Sequence, residues 1–286
     1  MFDKIIAFFM SLIAGFCGIF GIPYYAVGEK VDMDKFELVW SDEFEGDSVD
    51  WNTWTGHYAW ETNTDRKGSV WNQKMATVKD GKLVIRTEYY EDGLDGGHAG
   101  YYNYGMDTSD SYRQTYGYFE CRCILPKGVG MWSAFWMISN SMAFNNSPGE
   151  VIGGADGAEV DAFESAFYES KTPRRVSSNI HVDGYGEFHR QSNVCKPFLL
   201  WNDPYENFNT YGLEWNEKEY IFYVNGVETG RSDFGGVCEV PMYLILSVEV
   251  GGNNAVPEKD WTGGPLAPDC TPTDFIIDYV RAYQYK

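Results

Sequence analysis

The sequence predicts an all-β fold, a sandwich of two antiparallel sheets, on three observations. Beyond residue 35 the chain is a succession of strand-length runs rich in β-branched and aromatic residues. No amphipathic helical pattern of a dozen residues interrupts them. Neither an internal repeat nor a Pro/Gly/Ser-rich linker divides the chain, so many strands share one domain.

The runs follow in order: FELVW (36–40), KLVIRTEY (82–89), YGYFECRCIL (116–125), SAFWMI (133–138), SSNIHV (177–182), MYLILSVEV (242–250) and DFIIDYVRAYQY (274–285). EYIFYV-NG-VETGR is a hairpin signal, because Asn225-Gly226 supplies the positive φ angles of a two-residue turn. Strand alternation puts Phe119, Cys121 and Cys123 on one face and Glu120 and Arg122 on the other. Trp132, Ala134 and Trp136 likewise share a face, opposite Phe135 and Met137. A sheet with Glu120, Arg122 and the tryptophans on its upper side would make an open sugar platform. Spacing alone equally fits a surface ion pair between Glu120 and Arg122, of little energetic consequence. A long Gly-, Asn- and Ser-rich connection, 139–158, is of the length that often carries function.

Composition bounds the partner. The 286 residues carry a formal charge of −20, which argues against nucleic acid, anionic membranes and polyanionic substrates. Aromatics at 17%, with 10 Trp and 21 Tyr, leave aromatic surface after a core is built. A neutral partner fits best. Residues 1–26 stand apart: the apolar or small run Ile5–Ile22 precedes Pro23 and a cleavage point after Ala26. This predicts a secretory signal peptide, or an uncleaved N-terminal membrane anchor, with residues 27–286 as one domain. Asp3 weakens the usual positive start, but either reading puts the domain in a secreted, extracellular location. Membrane contact follows only if the apolar segment is retained. Of six cysteines Cys17 lies in the leader, and the remaining five cannot all pair within the chain. Cys121 and Cys123 share a strand face and are poorly placed to bridge, so cysteine reads as packing. No zinc-type spacing occurs.

The chemistry is concentrated in EVDAFE, Glu159 to Glu164. On a plain strand Glu159 and Asp161 share a face while Glu164 points to the other, apolar one. A β-bulge near Ala162-Phe163 resolves the conflict: one extra residue resets the alternation, all three carboxylates face one side, and Phe163 packs. Two such carboxyl groups suit a retaining glycosidase, which needs a nucleophile and an acid/base ~5–5.5 Å apart. Asp161 would steady Glu159 and help keep Glu164 protonated. The same trio would also make a solvated acidic strand edge or a calcium site.

In its landmarks the chain resembles glycoside hydrolase family 16, the laminarinase and β-glucanase group of concanavalin-like jelly rolls with a concave glycan-binding cleft. LVWSDEFEG, VKDGKLVIRT, YGYFECRCILPKGVGMWSAFWMI, EVDAFE, FNTYGLEWNEKEYIFYVNG, PMYLILSVEVGG and IIDYVRAYQY arrive in that family's order, from Phe36 to Tyr285. EVDAFE looks like its bulged active-site motif. The resemblance implies Glu159 as nucleophile, Glu164 as general acid/base and Asp161 as the residue assisting Glu159. It implies that Glu120, Arg122, Trp132 and Trp136 line the cleft, with His181 near the catalytic strand, while Trp215 fits cleft or core. It also implies a structural calcium ion on the Asp278 carboxylate and the backbone carbonyls of Glu43 and Gly81, with no cofactor needed for catalysis and no protein partner. Phe163, Ser247, Glu249 and Gly157 depart from the usual laminarinase pattern and bear on substrate choice. The expected activity is endo-hydrolysis of a neutral polysaccharide, β-1,3- or β-1,3-1,4-glucan first. An endo-β-galactosidase or galactan hydrolase, or a non-catalytic lectin-like module, are the alternatives.

Overall fold

Each strand with one apolar face must bury it against a second layer, and the alternation read above assigns which side chains meet. The structure, a computed structural model, describes residues 28–56, 65–144, 152–169, 175–194, 203–251 and 264–286, together with Leu12. The rest of the leader, Cys17 and Cys195 lie outside the described residues.

In chain order the strands are β1 (Phe36–Asp42), β2 (Asp65–Arg66), β3 (Ser69–Trp71), β4 (Ala76–Val78), β5 (Leu83–Tyr90) and β6 (Gly100–Asn103). There follow β7 (Gly105–Asp107), β8 (Gly117–Ile124), β9 (Met131–Ser139), β10 (Ala158–Ser165), β11 (Ser177–Val182) and β12 (Arg190–Asn193). The last are β13 (Asn209–Trp215), β14 (Tyr220–Val224), β15 (Val227–Ser232), β16 (Met242–Val250) and β17 (Thr273–Tyr285). Every run predicted from the sequence is among them. Asn225 (φ 50°) and Gly226 (φ 72°) make the expected turn between β14 and β15. The connection at 139–158 opens with a short helix, α1 (Asn140–Phe144).

Two sheets result. An outer, eleven-stranded sheet runs β15-β14-β13-β8-β17-β5-β6-β3-β2, with β1 also on β17 and β4 also on β5. An inner, six-stranded sheet runs β12-β11-β10-β9-β16-β7. Apart from the parallel pair β3–β6, the described pairings are antiparallel. The core lies between the sheets. Phe119, Cys121, Cys123, Tyr211 and Leu213 reach it from one side, Phe135, Met137, Val160 and Phe163 from the other, all fully buried. Phe163 packs on Tyr211 of the facing sheet at 4.3 Å between ring centroids. Trp215 is resolved as core: it is fully buried and its indole N–H donates to the Cys238 carbonyl at 3.0 Å. Cys121, Cys123 and Cys238 are free and buried, and Cys270 is free and exposed.

The platform expected from Glu120, Arg122 and the tryptophans does not form. Strands β8 and β9 are consecutive, but the chain between them, 125–130, crosses from the outer sheet to the inner one. With Phe119, Cys121 and Cys123 turned into the core, Glu120 and Arg122 point away from it, on the far side of the molecule from β9 and β10. Glu120 accepts hydrogen bonds from the hydroxyls of Tyr118 (2.8 Å) and Tyr279 (2.7 Å). Arg122 pairs with Asp278 and lies over the Phe208 ring at 4.5 Å. Both are structural residues of the outer face.

The bulge is present where the parity argument required it. Against β9, Asp161 faces Trp136 and Phe163 faces Phe135, so Ala162 has no opposite number. Against β11, Asp161 faces Asn179 and Glu164 faces Ser177, leaving Ala162 and Phe163 to share Ser178. The Ser178 hydroxyl donates to the Ala162 carbonyl at 2.9 Å, so the displaced peptide keeps a partner. Because Phe163 fills the core directly beneath the bulge, Phe163→Ala should cost about 3–5 kcal/mol of stability, measured by urea denaturation.

Candidate active site

Cross-strand pairing builds the site on the solvent-facing side of the inner sheet. Glu159 stands opposite His181, Asp161 lies between Asn179 and Trp136, and Glu164, past the bulge, stands opposite Ala134. Trp132, Ala134, Trp136, Glu159, Asp161, Glu164, Ser247 and Glu249 line one cleft cavity. The tryptophans predicted to line the cleft are therefore beside the carboxylates.

Each carboxylate has distinct partners. Glu164 accepts from the Trp132 indole N–H at 2.9 Å and from the Asn179 amide. Glu159 accepts from the Tyr185 hydroxyl, and its other oxygen lies 3.6 Å from His181 Nε2. The same His181 nitrogen is 3.5 Å from Asp161 Oδ2, so Asp161 reaches Glu159 through the imidazole. Trp136 donates its indole N–H to Ser247 at 3.1 Å. At the rim, Arg66 bonds Glu249 at 2.8 Å and Lys67 sits 4.9 Å from the Trp132 ring centroid.

Burial and mutual repulsion set the protonation states. Burial, then the charge of Asp161, pushes Glu159 up to about 7. The same two causes, in the same order, hold Glu164 well above the usual carboxylate range. Burial also raises Asp161. Burial opposes the charged form of His181, yet the carboxylates of Glu159 and Asp161 outweigh it and raise the imidazole to about 9. At neutral pH His181 is thus a cation between two acids. Burial and the Asp161 charge act on Glu159 and Glu164 alike, so the acids titrate as one coupled set that favours keeping a proton.

The chain matches the family model described as "Beta-porphyranase A-D, GH16 domain" over residues 36–285. The chain belongs to glycoside hydrolase family 16. Among its relatives is the endo-1,3-1,4-beta-glycanase EglC of Rhizobium meliloti, 28% identical over 209 residues, covering 72% of this chain and 39% of that one. The chain therefore spans well under half the length of that relative. A beta-glucanase of Rhodothermus marinus is 26% identical over 301 residues, covering 98% of this chain and 94% of the other. The laminarinase catalytic domain of Thermotoga maritima superposes with a TM-score of 0.70 at 26% identity, covering 88% of this chain and 99% of that one. The two-sheet architecture is the family's jelly roll.

Family 16 hydrolysis needs no cofactor. Of the groups implied for a calcium ion, the Asp278 carboxylate and the Glu43 and Gly81 carbonyls, the carboxylate is the one whose side-chain partners bear on the fit. The Asp278 carboxylate is held by Arg122, with Lys82 Nζ at 3.8 Å, and Glu43 is bound by Arg281 at 2.8 and 2.9 Å. Arg122 and Lys82 already offset the charge of Asp278, the one carboxylate of the implied set. Among the described residues, Glu159, Asp161 and His181 form a cluster tight enough to share an ion, their ligand atoms lying within 4.8 Å of one another. Protonated His181 supplies the positive charge at that point.

Sequence reasoning missed Asn179 and Tyr185. Asn179 stands two residues before His181, so strand alternation places it on the same face, a signal that was available. Tyr185 follows the strand in a loop, where no periodicity exists to read.

Three outcomes follow from this geometry. The pH profile of kcat/KM should be bell-shaped, with an acidic limb near pH 7 as Glu159 protonates and an alkaline limb where Glu164 loses its proton. Glu159→Gln should reduce turnover by more than about 10³-fold and also stabilise the fold on the alkaline side. A carboxyl whose pKa is raised by folding holds a proton that the unfolded chain has released, so stability falls as pH rises towards about 7, and the amide removes that loss. Comparing melting curves at pH 5 and pH 8 checks the sign. Excess EDTA should leave the melting temperature of the wild-type chain unchanged, whereas Asp278→Asn, which unbalances Arg122 and Lys82, should lower it.

Proposed function

We propose that the chain is an exported endo-acting hydrolase of a neutral β-glucan, with β-1,3- or mixed β-1,3-1,4-linkages as its first substrates. The observation that carries this reading is the bulged strand that turns Glu159, Asp161 and Glu164 to one cleft beside Trp132 and Trp136. In the first step the Glu159 carboxylate attacks the anomeric carbon while Glu164 gives its proton to the departing glycosidic oxygen. In the second step Glu164, now a base, takes a proton from water, which attacks the same carbon and releases Glu159. Asp161 and His181 hold Glu159 in place throughout. Trp132 donates to Glu164 and offers its ring to the apolar face of a sugar.

The names of the glucanase and laminarinase relatives support the glucan. The apolar run Ile5–Ile22 supports export, with the domain outside whether or not the leader is cut. A galactan is the second reading. It is favoured by the porphyranase family model, with Arg66 and Lys67 the basic residues at the cleft rim. A purely binding, lectin-like role is disfavoured, because a platform gains nothing from three buried, mutually repelling carboxylates.

Mass spectrometry of products from laminarin, barley glucan, agarose and a mucin-type galactan separates these readings. Oligosaccharides of several lengths from laminarin or barley glucan are expected, and products from the galactans alone would move the assignment to the second reading. Binding with no products after long incubation would sink both.

A further inference from the structure

The loop after β11 carries two side chains that close a ring around the nucleophile. Tyr185 is 44% exposed as a residue, yet its hydroxyl donates to Glu159 Oε2. On the other side of Glu159 stands His181, and behind it His189, whose Nε2 is 2.9 Å from His181 Nδ1 with the two rings within 4° of parallel. The rings of His189 and Tyr185 lie 5.5 Å apart, which completes the circuit Tyr185, Glu159, His181, His189.

The loop is braced to hold this arrangement. Asp183 and Gly184, both at φ 67°, turn the chain sharply out of β11. The buried Asp183 carboxylate accepts from the Gly153 amide at 2.7 Å and from Arg190 at 2.7 and 2.8 Å, so residues 183 and 190 pinch the neck of the loop. The Gly184 amide rests on Met142 Sδ at 3.2 Å.

The chemistry of the ring is specific. His181 can face the carboxylates as a cation only if both of its nitrogens carry protons, and the Nδ1–H then needs an acceptor. Neutral His189 provides one at Nε2. Burial and the charge of His181 lower the pKa of His189, which keeps it neutral. Besides Tyr185 and His181, Glu159 feels Asp161 and Glu164 along its own strand and Arg66 from β2. Glu249 shares the cleft cavity from β16, and Tyr243 of the same strand lies within electrostatic range.

We propose that Tyr185 and His189 are positioning residues of the reaction. Tyr185 fixes the Glu159 carboxylate by a direct hydrogen bond, and His189 does so through His181 by accepting its second proton. The proposal rests on the reading of Glu159 as nucleophile.

Tyr185→Phe keeps the ring and removes the donor. In protein labelled with ¹³Cδ-glutamate, with the Glu159 signal assigned by its loss in Glu159→Gln, the Glu159 titration midpoint should move to higher pH in Tyr185→Phe. The acidic limb of kcat/KM should move with it, and kcat should fall roughly 10- to 100-fold while KM stays within about twofold. His189→Leu should lower the midpoint of the His181 imidazole, read from its ring ¹⁵N shifts, and His189→Gln, which keeps an acceptor, should restore it. An unmoved Glu159 midpoint in Tyr185→Phe overturns the positioning role. That NMR readout needs no substrate, so it is independent of which glycan is cleaved. A folded wild-type chain inactive on every glycan in the panel would instead overturn the nucleophile reading and the role that rests on it.

Discussion

The site depends on one residue too many in one strand. Strand alternation has a period of two, and no choice of side chains can bring positions 159 and 164 to the same face while the pleat stays regular. The unpaired Ala162 supplies the missing step. It is a small, buried residue whose carbonyl is captured by Ser178, so the extra peptide neither clashes nor loses its hydrogen bond. Because β10 is hydrogen-bonded on both sides, to β9 and to β11, a slip in register would have to break two ladders at once. Phe163 anchors the bulge from below against Tyr211 and Phe275 of the other sheet.

Once the three acids share a face, their repulsion becomes the organising force. Burial raises all three, and the nearby imidazolium of His181 offsets part of the accumulated charge. The partners then distinguish the two glutamates. Glu164 has donors at the Trp132 indole and the Asn179 amide but lies past the bulge from His181, whereas Glu159 has the imidazolium and the Tyr185 phenol beside it. Two chemically identical side chains thereby sit in different hydrogen-bonding surroundings.

Much of this was legible in the sequence, because periodicity is a local property. The longer strands and the Asn225-Gly226 hairpin follow from spacing, and the bulge from spacing together with the demand that three carboxylates share a face, whereas the short strands β2, β3, β4, β6, β7 and β12 were not read. What spacing cannot say is which sheet a strand joins. Glu120 and Arg122 were correctly separated from Phe119 and Cys121 by face, but the crossing at residues 125–130 sends β8 and β9 to opposite layers, and only the strand order reveals it. The partners of Asp278 were hidden for a related reason: Arg122 and Lys82 come from β8 and from just before β5, far away in sequence. Tyr185 and His189 lie on a loop shaped by long-range anchors, Gly153 and Met142, that no local pattern announces.

Strand β17 has a consequence for how the molecule is made. Its thirteen residues pair with β8 along one edge and with β5 and β1 along the other, so it is the central spar of the outer sheet. The ribosome nevertheless delivers it after every strand it touches. Until those residues emerge, β8 on one side and β1 and β5 on the other have no shared neighbour, and the outer layer cannot close over the core.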